Sequence, residues 1–274
     1  MPAIKVWLDS ATAQLIDVGI PSPRLDCELI LAHCMEKPRT FLHAHPEHQL
    51  TTQVLHLANN NLKLRLQRNP VAYITGIKEF YGRDFIVTPD TLIPRPESED
   101  IISMLKNHMP GNTPLNLVDV GTGCGCLGIT AKLEFPDISV TLIDMTPTAL
   151  LVASKNAEKY LANVSVLKSN LLDKFSGYVD VIIANLPYVN PDWDRSPETD
   201  FEPTSALFSD DNGMSDIKRL IDQSKQALNN GGLLILESDP EQHPALIQYA
   251  KSAGFNHIDT QNYITAFAKS QNNN

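Results

Sequence analysis

The chain has 274 residues, enough for two domains, and its 42% hydrophobic content supplies a core, which excludes a disordered polymer and a minimal disulfide scaffold. Its 22 basic and 32 acidic residues give a formal charge of −10; residues 1–90 balance at nine of each, so the whole excess lies from position 91 onward. A surface of that sign repels a phosphate backbone and argues against a nucleic-acid partner.

The first seventy residues read as helices punctuated by proline and glycine. IKVWLDSATAQLIDVG stops at Gly19, PRLDCELILAHCM opens with Pro23 at a first-turn position, and TTQVLHLANNNLKLRLQRN ends before Pro70. Residues 1–70 are expected to form a small helical domain. His33, His43, His45, His48 and His56 fall here, but no Cys or acidic ligand set accompanies them, so packing or surface roles are expected and no metal site. After Lys5 the chain turns polar where a secretory leader needs an unbroken apolar stretch, and no apolar run approaches the ~20 residues of a membrane span. Cys27, Cys34, Cys124 and Cys126 make neither a disulfide framework nor a C-x-x-C pair and are expected to be reduced. A cytoplasmic protein is expected, with no membrane partner.

Residues 71–95 are expected to be a connector, because KEFYGRDFIVTP sets aromatic and β-branched residues around Gly82 in a hairpin pattern. After LIPRPESED a helix should run to about Met109, with Pro96 at its start and Glu97 and Glu99 in its first turn, where the dipole favours them. From Pro114 the pattern alternates. LNLVDV, ISVTLIDM, VSVLKS, DVIIANL and GLLILES are short apolar runs, with helical stretches such as PTALLVASKNAEKY and MSDIKRLIDQSKQALNN between several of them. Such runs, apolar on both faces, predict a parallel sheet covered by helices over residues 96–274. FNHIDTQNYITAFAKS reads as two closing strands, one of them antiparallel.

The first strand of that domain ends in DVGTGCGCLGI. Gly121, Gly123 and Gly125, with Thr122 and Cys124 between them, let the backbone turn sharply and approach a ligand at the carboxyl edge of the sheet. A dinucleotide fingerprint would need glycine at 126, where Cys126 stands, and no lysine followed by Ser or Thr makes a P-loop. Asp144 ends the second strand, placed to accept hydrogen bonds from both hydroxyls of a ribose. A tight strand-to-helix turn with Asp144 as a helix cap is the bland alternative; loop and acid together favour a nucleoside cofactor without a pyrophosphate. Asn170 and Leu171 follow the third strand, where an Asn can accept from an adenine amino group and an apolar neighbour can cover the ring.

The fourth strand runs into Asn185, Leu186, Pro187 and Tyr188. An amide nitrogen is a poor nucleophile because its lone pair is delocalised into the carbonyl. The Asn185 side-chain oxygen and the Leu186 backbone carbonyl could each accept one N–H and turn the nitrogen toward an electrophile, while Tyr188 packs on the planar group. Pro187 restricts Leu186 to an extended conformation and so aims that carbonyl. With the cofactor loop, these parts point to methyl transfer from S-adenosylmethionine, whose sulfonium needs alignment more than a metal or a covalent intermediate. Taken alone, N-L-P-Y is also a plausible turn.

At these residues the sequence resembles the peptide chain release factor glutamine methyltransferases. The likeness runs through PRLDCELILAH, PVAYITGIKEFYGRDFIVTPDTLIPRPESE, DVGTGCGCLGI, ANLPYV and FEPTSALFSDDNGMSDI, and the junction stretch is the most specific. The resemblance implies an α/β, class I S-adenosylmethionine-dependent methyltransferase, Rossmann-like, with a mostly parallel seven-stranded sheet and helices on both faces, preceded by the helical domain and hairpin connector. It implies N5-methylation of the glutamine in the Gly-Gly-Gln loop of bacterial release factors, by a monomer with no direct nucleic-acid contact. It puts cofactor binding on Gly121 to Gly125, Asp144, Asn170, Leu171 and Asn185, catalysis on Asn185 to Tyr188, and substrate contacts on those four with Arg95 and Glu202. Glu97 and Pro203 also match family motifs. The family usually has Asn-Pro-Pro-Tyr, so Leu186 is a departure that should lose modest rigidity, about 0.4–1 kcal/mol. Two other functions fit parts of the pattern: an N6-adenine methyltransferase, since an exocyclic amine suits the same tetrapeptide, and a non-catalytic protein that binds the cofactor and a partner.

Overall fold

The structure is a computed structural model that describes residues 1–109 and 115–271; the expected boundary at Pro114 lies outside them. The chain divides into two compact units, Met1–Ile77 with Arg195–Phe201, and Lys78–Asp194 with the stretch from Glu202 onward.

The first unit is helical: α1 (Ile4–Asp17), α2 (Pro23–Met35), α3 (Arg39–Ala44), α4 (Thr52–Leu66) and α5 (Val71–Thr75). The apolar positions of α1, Trp7, Leu8, Ala11 and Leu15, recur at helical spacing and meet Cys27, Ile30 and Leu31 of α2 and Ala58 and Leu62 of α4 in one core. Thr51 caps α4, its Oγ1 accepting from Val54 N at 3.2 Å. The short segment 195–201 joins this unit through charge. Arg65, itself buried, pairs with Asp26 at 2.7 Å and with Glu198 at 3.0 Å, and Arg68 reaches Glu198 at 3.3 Å. A buried guanidinium needs such partners, and no local sequence pattern announces one so far along the chain.

The second unit opens with the hairpin β1 (Ile77–Phe80) and β2 (Arg83–Ile86), whose Phe80 and Phe85 rings meet edge to face at 6.2 Å. A single 3-10 turn, Pro96–Ser98, leads into α6 (Glu99–His108). There follow β3 (Asn116–Val120), α7 (Cys126–Glu134), β4 (Ser139–Asp144), α8 (Pro147–Lys159), β5 (Ser165–Lys168) and β6 (Val179–Ala184). The chain continues through α9 (Thr204–Leu207), α10 (Asp210–Gly213), α11 (Ser215–Ala227), β7 (Leu228–Glu237), α12 (His243–Ser252), β8 (Phe255–Gln261) and β9 (Ile264–Lys269).

Seven of these strands form one sheet in the order β5-β4-β3-β6-β7-β9-β8. The first five in that order are parallel, β9 is antiparallel to β7, and β8 is antiparallel to β9. Central strands such as β3 and β6 are apolar on both faces because helices cover both, and Val118, Ile182 and Leu234 are fully buried. From β3 the chain winds outward through β4 to β5, then returns to β6 on the other side. The crevice between β3 and β6 is therefore the switch point at which such sheets bind ligands. Polar residues gather at that carboxyl edge: Asp119 in β3, Asp144 closing β4, Asn185 just past β6, and Glu237 closing β7.

Candidate active site

The loop after β3 is built on a buried acid. Asp119 Oδ2 accepts from the Thr122 hydroxyl at 2.6 Å and from Gly128 N at 2.9 Å, while Oδ1 has no partner among the described residues. Burial pushes the Asp119 carboxyl up to about 6, with those two donors opposing the rise and Asp144 adding to it. Gly121 N and Thr122 N both donate to Ile143 O at 2.9 Å, which ties the loop to β4. Gly121 has φ +72°, and a Cβ there would lie 2.8 Å from Leu186 Cδ2; Gly125, at φ +86°, would drive a Cβ to 2.8 Å from Ile129 and 3.2 Å from Ala153. The close approach of helix to strand that a dinucleotide fingerprint places at 126 occurs instead at Gly128, where a Cβ would meet Leu142 at 2.3 Å.

Asp144 is fixed by two backbone donors, Gly123 N to Oδ2 at 3.0 Å and Thr146 N to Oδ1 at 2.8 Å. Each carboxylate oxygen accepts one hydrogen bond there, which leaves capacity for a second. Leu171 adopts φ +47°, rare for a side-chain-bearing residue, and is buried at the cleft wall, while Asn170 is exposed beside it.

The tetrapeptide after β6 is held at both ends. Asn185 Nδ2 donates to Ser98 Oγ at 2.9 Å, and Asn185 Oδ1 makes no hydrogen bond among the described residues. Tyr188 O accepts from Gln242 Nε2 at 2.9 Å, and the Tyr188 hydroxyl donates inward to Glu237 Oε1 at 3.1 Å. Burial pushes the Glu237 carboxyl up to about 7 and raises Tyr188 as well. Leu186 is buried in the core cluster, its side chain forming the floor beneath Gly121. The departure from proline is thus filled by packing.

These parts line one cleft of about 250 Å³. It brings together Arg95, Gly121 to Cys124, Asp144, Asn170, Leu171 and Asn185 to Pro187. Three of the expected cofactor, catalytic and substrate residues lie outside its lining. Gly125 begins α7 behind the loop. Tyr188 turns its hydroxyl to Glu237 instead of presenting it to the cleft. Glu202 is buried, and spends one oxygen on Ile93 N at 3.0 Å and the other on Arg95 at 2.5 Å, so it props the wall that carries Arg95. Ser98 and Glu237 were missed. Ser98 lay inside the I-P-R-P-E-S-E stretch, and Glu237, an acid closing an apolar strand, carried the same signal as Asp144.

The charged residues of the lining are Asp90, Asp144 and Asp216 against Arg95. That balance suits a cationic ligand and opposes a pyrophosphate. With glycines where a Cβ would block the floor and a carboxylate free to accept further hydrogen bonds, the residues present fit a sulfonium nucleoside.

Comparison with known proteins agrees with this geometry. Residues 6–76 match the family model of the PrmC N-terminal domain, and residues 99–197 match that of the methyltransferase small domain. The chain is 36% identical over 258 residues to the release factor glutamine methyltransferase of Salmonella typhimurium, covering 93% of this chain and 92% of that one. It is 38% identical over 239 residues to the enzyme of that name from Koribacter versatilis, covering 85% of each. Among solved structures, a methyltransferase from Pyrococcus furiosus superposes with a TM-score of 0.57 at 21% identity, covering 78% of this chain and 100% of that one. The Thermus thermophilus 16S rRNA N2 G1207 methyltransferase, solved with AdoMet and guanosine, gives 0.52 at 17%, covering 71% and 50%. The two structures establish the fold, and the curated relatives establish the lineage: the chain belongs to the release factor glutamine methyltransferase family.

Proposed function

We propose that this chain transfers a methyl group from S-adenosylmethionine to the side-chain amide nitrogen of the glutamine in the Gly-Gly-Gln loop of peptide chain release factors. The observation that carries this reading is the Asn185 amide, anchored through Nδ2 so that Oδ1 is left as an acceptor in a cleft floored by the glycine loop. When bound, S-adenosylmethionine supplies a methyl on a sulfonium that departs as a neutral thioether, while the attacking amide nitrogen gives up one proton to water.

The residues supply position. Asp144 accepts from the ribose hydroxyls, Leu171 and Asn170 border the adenine, and the turn from Gly121 to Gly125 lets backbone approach the cofactor. Asn185 Oδ1 and the Leu186 carbonyl each take one N–H of the substrate amide, holding its nitrogen for in-line attack. Arg95 is paired with Glu202, so it acts by shaping the cleft mouth more than by adding free charge. An adenine substrate is disfavoured by the acidic lining and by relatives named for release factors. No helix of the described residues is long and apolar enough to cross a membrane; a cytoplasmic monomer is the form that meets release factors.

The test is mass spectrometry of the tryptic Gly-Gly-Gln peptide after incubation of purified release factor with this protein and labelled S-adenosylmethionine. The expected result is one methyl on the glutamine amide, lost in Asn185→Ala while cofactor affinity is retained. Label on an oligonucleotide but not on the peptide, or turnover at wild-type rate in Asn185→Ala, would overturn the reading.

A further inference from the structure

Glu237 is 1% exposed, and among the described residues no cation pairs with it. Its Oε1 accepts from Tyr188, and its Oε2 makes no hydrogen bond among the described residues. A buried carboxylate left in this state is costly. Parallel pairing of Ala184 with Leu236 sets the next residues of each strand, Asn185 and Glu237, side by side. Ser98, 2% exposed, completes the cluster from the 3-10 turn before α6.

A serine hydroxyl carries one proton. Ser98 Oγ accepts from Asn185 Nδ2, which leaves its own proton to be given elsewhere, and Glu237, on which Ser98 acts and whose Oε2 is unpartnered among the described residues, is an available acceptor. Ser98, Tyr188 and Asn185 each hold the Glu237 carboxyl below where burial alone would put it. Resting on the methyl-transfer reading above, we propose that Glu237 and Ser98 are positioning residues: the buried carboxylate, acting through the Ser98 hydroxyl, dictates that the Asn185 amide turns its nitrogen inward and its oxygen to the substrate.

Polarity follows from the acceptor-only character of an ionised carboxylate. With Glu237 ionised, Ser98 donates to it and receives from Asn185. With Glu237 protonated, the chain can run the other way, Ser98 donating to Asn185 Oδ1 and consuming the atom that grips the substrate. The other titratable groups bearing on Glu237 are Tyr188 and Glu97; Tyr263 and Arg95 act on Tyr188. Burial, with Glu97 adding to it, opposes ionisation of Glu237, so the switch between the two polarities falls near pH 7 instead of the ordinary carboxylate range.

The experiment measures kcat, KM for release factor and S-adenosylmethionine affinity from about pH 5.5 to about pH 9 for wild type, Glu237→Gln, Ser98→Ala and Ser98→Thr. The side-chain amide signals of Asn185 are followed by NMR in the free proteins. Wild-type kcat should rise through a single ionisation near pH 7. Glu237→Gln and Ser98→Ala should lose roughly 10- to 100-fold in kcat, lose that limb of the profile, and keep KM and cofactor affinity; Ser98→Thr, which retains a hydroxyl, should restore both. The Asn185 amide protons should be protected in wild type above the transition and should exchange faster in Glu237→Gln. Unchanged Asn185 signals in Glu237→Gln, or a fall in kcat, KM and affinity together with the limb intact, would overturn the proposal. A wild-type protein that leaves release factor unmethylated while its Asn185 signals still follow Glu237 would overturn the functional reading and leave the positioning role standing.

Discussion

Asn156, on α8 and fully buried, joins two parts of the catalytic unit that sequence leaves unrelated. Its Oδ1 accepts from Ile86 N at 2.8 Å, and its Nδ2 donates to Ile86 O and to Cys124 O, each at 2.9 Å. One side chain thus fastens the hairpin strand β2 and the glycine loop to the same helix. Replacing it with alanine removes three hydrogen bonds worth roughly 1 kcal/mol each, and leaves a buried N–H and two carbonyls short of partners. The expected loss is about 3–5 kcal/mol, or about 6–20 °C in Tm at the 2–4 °C per kcal/mol typical of a unit this size. Urea titration and thermal melting of the full chain measure it, and calorimetry with S-adenosylmethionine at a temperature where the variant is folded should show weaker binding. A loss below about 1 kcal/mol with unchanged cofactor affinity would refute the reasoning, because the three backbone groups would then have found water and the loop would stand without its anchor.

Two further outcomes follow from the packing and the charges of the cleft. Gly121→Ala combines a positive φ with a Cβ 2.8 Å from Leu186 Cδ2, and should destabilise by about 1–3 kcal/mol; Leu186→Ala in the same chain should relieve the steric part, so a double-mutant cycle in urea should give a coupling term that a purely backbone effect would lack. Glu237→Gln should be more stable than wild type at pH 8 by about 3 kcal/mol and equal to it near pH 4. The carboxyl titrates at about 7 folded against an ordinary 4.5, so between those values the folded state keeps a proton that the unfolded state has released. Wild-type stability therefore falls as pH rises through that window, whereas a neutral glutamine is indifferent to it. Equal melting temperatures for the two proteins at pH 8 would contradict the assignment.

The α/β class was legible because central strands such as DVIIANL have to be apolar on both faces, and because α2 begins at Pro23, where the proline signal put it. The glycine loop and Asp144 were legible for the same reason: the backbone needs φ > 0 at defined places, and a polar residue ending a buried strand has few other reasons to be there. Pairings over long sequence distance were not legible. Segment 195–201 belongs with the helices because Glu198 finds Arg65, and Glu202 sits under Arg95 instead of in the cleft, because each carboxylate follows a guanidinium far away in the chain. Tyr188 was expected to cover the substrate, yet its hydroxyl is drawn inward by an acid on the neighbouring strand. The inner partners of Asn185 escaped notice because a serine in a turn and a glutamate closing a strand are individually commonplace.

The excursion of residues 195–201 into the helical unit bears on how the protein can be cut. Severing the chain between Ile77 and Lys78 looks like a clean way to isolate the sheet-bearing part, but the fragment would still carry Glu198, now stripped of Arg65 and Arg68. The stretch after β6 would then lead into an orphaned acidic loop. An independent sheet-bearing fragment therefore requires splicing Asp194 to Glu202 as well, which shortens the tether on the C-terminal side of the tetrapeptide Asn185 to Tyr188.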